Sequence, residues 1–226
     1  MEEPAAPELL RLADVSWQAP DGRLVLDGVS LALAPGELAW LRGPSGGGKS
    51  SLLRLINRLA EPSGGSITFL GKPLAGWEPS QLRRRVGLLP QSPVMLPGTV
   101  EHNLCLAFGF KAARGQAQPE KQSLRAALDE LGLGGVALGA PALGLSLGQR
   151  QRLALARLLL LKPQVLLLDE PVSALDPESR ELVEQTAAAQ AGAGTAVLLV
   201  SHQPPPGAAA MRRLVLDRGR LREEGP

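Results

Sequence analysis

The stretch from Gly43 to Ser51 reads GPSGGGKSS and holds four glycines, one lysine and three serines. It lies between the apolar run LAW at 38–40 and the helical-looking LLRLINRL at 52–59. Glycine loses more backbone freedom on folding than any other residue, so an ordered structure here is costly. The stretch is therefore either a flexible surface linker or a segment in which a bound group compensates the entropic cost of ordering.

The pattern Gly43-x4-Gly48-Lys49-Ser50 matches the phosphate-binding P-loop, and its flanks are a predicted strand and a predicted helix, as that motif requires. Glycines allow successive backbone N–H groups to face phosphate oxygens, and the helix adds its positive N-terminal end. Lys49 is expected to reach the β- and γ-phosphates, and the Ser50 hydroxyl to hold Mg²⁺. The predicted phosphate-binding residues are Gly43, Pro44, Ser45, Gly46, Gly47, Gly48, Lys49, Ser50 and Ser51.

Composition limits the class of protein. Charged residues make up 20% of the 226 residues and the net charge is only +2, so we expect no nucleic-acid partner held by bulk charge. The single cysteine, Cys105, excludes an internal disulfide and suits a reducing compartment. The N-terminus has no signal-peptide pattern, and the uncharged segment 131–148 contains six glycines, so neither predicts a membrane helix.

Short β-rich runs alternate with helical segments along most of the chain. VLLLD at 165–169 and AVLLV at 196–200 are almost wholly apolar, which is typical of strands buried on both faces of a parallel sheet. We predict a helical subdomain at about 92–160, an N-terminal tail at 1–8 and a frayed end at 221–226. The runs predicted as strands are residues 10–17, 23–33, 38–43, 64–70, 86–90, 165–171, 195–202 and 212–219.

Two acids follow the buried run VLLL, at the strand end where ligands of open α/β sheets gather. Asp169 is expected to bind Mg²⁺, through water, and Glu170 to orient or deprotonate an attacking water. Acids in this position can also serve only as helix N-caps. Their pairing with a P-loop favours the catalytic interpretation.

A third element carries a family resemblance. The segment LSLGQRQRLALARLLLLKPQVLLLDEP at 145–171 resembles the signature helix and second acidic motif of ABC-type ATPases. Gln91 after VGLLP, SALD at 173–176 and His202 in LLVSHQ follow the same order and spacing. The chain, from about Leu12 to Gly219, is similar to the ATP-binding subunit of an ABC transporter. The resemblance implies an α/β fold: a P-loop NTPase core with a mixed sheet flanked by helices, an antiparallel β N-terminal part and an inserted α-helical subdomain, together spanning 9–226.

The resemblance also implies that ATP binds between two copies arranged head to tail. The signature residues Ser146, Gly148 and Gln149 of one copy would face the P-loop of the other, and Asp176 would lie across the interface. Ser146 and Gln149 also fit a helix capping box, which is compatible with that role. The resemblance assigns catalysis to Glu170, His202, Lys49 and Gln91, and Mg²⁺ to Ser50, Gln91 and Asp169.

Two positions depart from the family pattern. Leu147 stands where the family has glycine, and leucine would be costly there if the position needed a positive φ or a close approach of the backbone. Ala19 stands where an aromatic residue stacks on adenine, and the chain contains no tyrosine. Strand alternation places Trp17 on the same face as Ala19, so Trp17 either stacks on the base or packs in the core. Weaker nucleotide affinity or lower base selectivity is the expected consequence.

The implied partner is a separate membrane permease, with this chain peripheral on the cytoplasmic face of the cell membrane. SPVMLPGTVEHNL at 92–104 is similar to the corresponding stretch of exporter-like cassettes, and it either docks a partner or only covers the core of the subdomain. Chains of this size with this loop resemble subunits of metal (iron) or small-solute exporters. Two alternatives stay open. One is a non-transport ABC-type ATPase of DNA repair or translation, and the other is a weakly active regulatory nucleotide-binding subunit.

Overall fold

The computed structural model describes residues 8–110, 117–173, 175–205, 207 and 211–225. Most of the predicted tail at 1–8 lies outside these residues. The strands are β1 (Leu10–Gln18), β2 (Leu24–Leu33), β3 (Leu38–Arg42), β4 (Gly64–Phe69), β5 (Lys72–Pro73), β6 (Val86–Leu89), β7 (Val165–Asp169), β8 (Ala196–Val200), β9 (Arg212–Asp217) and β10 (Arg220–Glu224). The helices are α1 (Lys49–Ile56), α2 (Pro79–Arg85), α3 (Val100–Cys105), α4 (Lys121–Glu130), α5 (Leu147–Leu159) and α6 (Pro177–Gly192).

The strands form two sheets. A four-stranded antiparallel sheet has the order β2-β1-β4-β5, and a six-stranded sheet has the order β10-β9-β3-β8-β7-β6. In the larger sheet β9, β3, β8, β7 and β6 are parallel, and β10 runs antiparallel to β9. This arrangement confirms the α/β fold with a mixed sheet and an antiparallel N-terminal part.

Strands β7 and β8 are buried at every position, as their apolar sequences predict. Their side chains alternate between two cores because both faces of the sheet are covered. Leu167 packs in the core shared with α1 and the antiparallel sheet, whereas Leu166 and Leu168 pack against the helices on the other face. The rigid centre that results fixes the positions of the residues at the carboxyl ends of these strands.

The segment between β6 and β7 forms the helices α3, α4 and α5. Leu104, Leu124, Leu128 and Leu153 of these helices are buried in the core that they share with β7 and α6. No helix among the described residues is long and apolar enough to cross a bilayer, and the uncharged segment 131–148 forms turns and a short 3₁₀ helix.

The C-terminal expectation was wrong. Residues 220–224 do not fray but form β10, which pairs in register with β9 from Arg220 opposite Asp217 to Glu224 opposite Arg213. Ion pairs hold the strand in place: Arg42 with Glu224, and Arg212 with Glu223, the latter at 3.0 Å. Arg42 is distant from Glu224 in the sequence, so the local sequence does not indicate that pair, whereas the β9–β10 hairpin brings Arg212 and Glu223 together.

Candidate active site

The glycine-rich stretch is an ordered turn between β3 and α1. Gly46 and Gly48 have φ values of 73° and 97°, which side chains rarely adopt. A Cβ atom added at Gly43 would lie 2.1 Å from the carbonyl oxygen of Leu216, so only glycine fits there. Helix α1 begins at Lys49 directly after this turn. The helix N-terminus and the loop amides therefore face the same space, as phosphate binding requires.

Lys49 folds back over the loop. Its Nζ atom donates hydrogen bonds to the carbonyl oxygens of Gly43 and Pro44, both at 2.9 Å, and the residue is only 6% exposed. The ammonium group is thus held at a fixed position above the turn. A cation so placed is the group that would meet the β- and γ-phosphates of a bound nucleotide.

A cavity of about 400 Å³ opens above this turn. Residues 45–51 form its floor, and the hairpin of β1 and β2 forms one wall with Trp17, Ala19, Arg23 and Val25. Gln91, Glu170 and His202 line the cavity as well. The structure therefore brings together the P-loop residues 45–51, Trp17 and all four residues to which the resemblance assigns catalysis, since Lys49 is part of the floor. Gly43 and Pro44 do not line this cavity. Sequence reasoning missed Arg23 and Val25, although their spacing of two places them on the same strand face.

Two polar side chains contact the Glu170 carboxylate. Gln91 Nε2 donates to its Oε2 atom at 2.9 Å, and His202 Nε2 lies 3.0 Å from its Oε1 atom. The Glu170 backbone has a left-handed φ of 48°, and its N–H donates to the carbonyl of Val200 at 3.0 Å. Such a conformation costs about 1 kcal/mol or more in a non-glycine residue. The surroundings therefore fix both the backbone and the carboxylate of Glu170 at the cavity.

Asp169 lies beside Ser50 at the end of β7. The aspartate is 8% exposed, and burial raises the pKa of its carboxyl group, while a hydrogen bond with the Ser50 side chain acts in the opposite direction. A hydroxyl and a carboxylate next to one another supply oxygen donors of the kind that Mg²⁺ prefers. The two side chains therefore fit an Mg²⁺ ion, which would supply positive charge beside a bound phosphate.

The signature residues and Asp176 do not line this cavity. Ser146 and Gln149 form the predicted capping box of α5: Gln149 N donates to Ser146 Oγ at 3.2 Å, and Ser146 N donates to Gln149 Oε1 at 3.0 Å. Asp176 caps α6 by accepting from Ser179 N at 2.9 Å, and this bond lowers its pKa. Gly148 follows in the first turn of α5, with space for an added Cβ limited by Leu175.

Leu147 causes no backbone strain. It is the first residue of α5 and is not among the described non-glycine residues with a positive φ. Its side chain is 50% exposed. The cost foreseen for a leucine at a positive-φ position therefore does not arise, because the position is helical.

Comparison with known proteins decides the family. The model of the ABC transporter family matches residues 26–173, about two thirds of the chain, and includes the P-loop, Gln91, the signature segment and Glu170. The chain belongs to the ABC transporter family. It is an ABC-type ATPase domain, which confirms the resemblance drawn from its motifs.

Several curated proteins are similar to most of the chain. The chain is 39% identical over 228 residues to the methionine import ATP-binding protein MetN of Caulobacter vibrioides, covering 96% of this chain and 67% of that protein. It is 41% identical over 182 residues to protein STAR1 of rice, covering 80% of this chain and 51% of that protein. It spans only 16% of another relative, the ABC-type transmembrane transporter verA of Clonostachys rogersoniana.

Solved structures of the same family superpose on nearly the whole chain. A structure described as the ATP-binding subunit of an ABC transporter has a TM-score of 0.82 at 28% identity, covering 96% of this chain and 89% of that one. A bacterial Atm1-family ABC exporter with ATP bound has a TM-score of 0.81 at 28% identity, covering all of this chain and 41% of that one. The ABC-type domain alone thus accounts for the similarity.

Proposed function

We propose that this ABC-type domain hydrolyses MgATP between two copies of the chain and couples hydrolysis to transport by a separate membrane permease. The observation that carries the proposal is the Glu170 carboxylate, held by Gln91 and His202 beside the P-loop cavity. A base for water activation must be held within hydrogen-bond reach of its target. Glu170 lines the cavity above the P-loop, the space in which a water attacking the γ-phosphate would lie.

The roles of the side chains follow from their chemistry. Lys49 and the loop amides would stabilise the charge that develops on the phosphoryl group. Ser50, Asp169 and Gln91 would together hold Mg²⁺, which neutralises phosphate charge when bound. Glu170 would accept a proton from the attacking water, and the imidazole of His202 would hold both Glu170 and the γ-phosphate. Each of these roles is a proposal about this chain's residues.

The absence of the signature residues from the cavity lining supports a dimer. Ser146, Gly148, Gln149 and Asp176 do not line the cavity of their own chain, although they belong to the motif set. The first turn of α5 carries the positive end of the helix dipole, and the Ser146–Gln149 capping box leaves other backbone N–H groups of that turn without an intrahelical partner, so the turn is suited to contact an anion. A second copy arranged head to tail would bring this turn to the phosphates and complete the site.

Substitution of Ser146 tests the dimer directly. We expect Ser146→Asp to abolish MgATP-dependent dimerisation, because aspartate keeps the helix cap but places a negative charge against the γ-phosphate. Ser146→Asn is the matched control, since it caps as well without the charge. Light scattering in the Glu170→Gln background would measure the shift from 23.7 kDa to twice that mass. Equal dimerisation of both variants would contradict the head-to-tail arrangement.

We place the permease contact on the loop at 92–104. Its side chains Val94 and Leu96 are 66% and 42% exposed, and they follow Gln91 of the active site directly. An exposed apolar pair of this kind suits a protein partner rather than solvent. Because this loop resembles that of exporter-like cassettes, we propose export of a metal (iron) or small solute, with the chain on the cytoplasmic face of the membrane.

This contact is testable with a permease encoded beside this chain. We expect the double substitution Val94→Asp and Leu96→Asp to prevent co-purification of the two proteins, because it buries two charges in the interface. ATP binding should be unaffected. Leu24→Asp is the control, since Leu24 is 50% exposed but lies on the antiparallel sheet. Co-purification that survives the double substitution would exclude this loop as the docking site.

A further inference from the structure

Arg23 is a cation of the cavity wall to which no role has been given. It lies just before β2, after the hairpin turn, and its backbone N–H donates to Asp21 at 3.1 Å. Its side chain has no hydrogen bond or ion pair with any residue in the described part of the chain. Arg42, Arg180, Arg212 and Arg220, in contrast, each pair with a carboxylate. The Arg23 guanidinium is therefore available to a ligand.

The position of Arg23 along the hairpin would place it beyond the phosphates of a bound nucleotide. Val25 touches the P-loop, because a Cβ added at Gly48 would lie 3.2 Å from Val25 Cγ1. Arg23 is two residues further from that contact on the same strand face, a distance of about 7 Å. Leu24 between them points the other way and is exposed. A nucleotide whose phosphates lie on residues 45–51 would thus extend its base toward Arg23.

On the cavity wall that Arg23 shares with Ala19 and Val25, the one aromatic side chain among the described residues is that of Trp17. Ala19 lines this wall with a single methyl group, and the Ala19 N–H bonds to the Arg23 carbonyl at 2.9 Å, so the two residues face one another across the hairpin. Trp17 is partly buried and packs against the core. A planar guanidinium is the group that can cover an aromatic ring where no aromatic side chain stands.

We propose that the Arg23 guanidinium stacks on the adenine ring of the bound nucleotide, in the space that Ala19 leaves open. The inference rests on the proposed nucleotide site and adds a specificity-determining residue to it. Stacking uses the face of the ring rather than its edge, so Arg23 favours any purine and does not distinguish ATP from GTP.

The test compares a nucleotide with its phosphate part alone. Arg23→Ala should weaken the binding of MgATP, measured by calorimetry, roughly two- to fivefold, as expected for a cation–π contact at an exposed site. The affinity for inorganic tripolyphosphate should stay the same, and GTP should weaken as ATP does. Arg23→Lys keeps the charge but loses the plane, so it should resemble Arg23→Ala for ATP. Arg11→Ala, on the same sheet and paired with Glu8, is the control and should change neither ligand.

Each other result overturns the inference in a distinct way. An equal loss for ATP and tripolyphosphate in Arg23→Ala, with full rescue by Arg23→Lys, would show that Arg23 acts on the phosphates. Unchanged ATP affinity would show that Arg23 does not touch the nucleotide. Failure of the unaltered protein to bind either ligand would instead remove the proposed function itself, so the two failures are distinguishable.

Discussion

Lys49→Ala is expected to lower ATP hydrolysis roughly 10²–10³-fold, the loss typical of removing one preorganised electrostatic group. The reason lies in how Lys49 is held. Its Nζ atom is fixed by two carbonyl oxygens of the loop at 2.9 Å, so the charge is in place before a nucleotide binds. Alanine removes that charge. Phosphate release under saturating ATP measures the effect.

Lys49→Ala is also expected to weaken nucleotide binding. The Gly43 and Pro44 carbonyls would lose the partner that draws them inward, and the loop would lose its one cation. Lys72→Ala is the matched control, because Lys72 Nζ lies 5.2 Å from the Trp77 ring and is not part of the cavity lining. Unchanged hydrolysis in Lys49→Ala would remove the P-loop from the mechanism.

Much of the fold was predictable because two local rules apply strongly to this sequence. Apolar runs such as VLLLD and AVLLV indicate strands covered on both faces, and the structure confirms them as β7 and β8. The pattern from Gly43 to Ser50 demands positive φ angles and close backbone approach, which the structure shows at Gly48 and Gly43. Both patterns depend only on residues that are close together in the sequence.

Other features depend on contacts between distant residues. The strand β10, RLREE, is mostly charged and has no apolar alternation, a pattern that predicts a frayed end. It pairs with the preceding strand β9, and the ion pair of Glu224 with the distant Arg42 stabilises this hairpin further. The contacts of Glu170 with Gln91 and His202 likewise bring together three separate segments of the chain. Motif order predicted these residues one by one. Their hydrogen-bond geometry could come only from the sheet that aligns the segments.

The backbone of Glu170 also bears on the chemistry. Its left-handed φ of 48° is maintained by the hydrogen bond to Val200 and by the contacts of the carboxylate. Strain of this kind is tolerated where surrounding contacts over-determine it, often at functional sites. Asp169 contacts Ser50, whereas Glu170 contacts Gln91 and His202, so the turn directs two neighbouring carboxylates toward different partners.

Glu170→Gln is expected to lower hydrolysis roughly 10²–10⁴-fold, the contribution of a positioned general base, while MgATP still binds. Glutamine has the same shape as glutamate, so Gln91 and His202 can keep their places, but its amide does not accept a proton from water. Glu178→Gln, an exposed acid in the first turn of α6, is the matched control and should hydrolyse ATP normally. Phosphate release and calorimetric ATP binding, measured on the same preparations, separate turnover from affinity. Near-normal turnover in Glu170→Gln would exclude Glu170 as the base, whereas loss of both turnover and binding would mean that Glu170 shapes the nucleotide site rather than activating water.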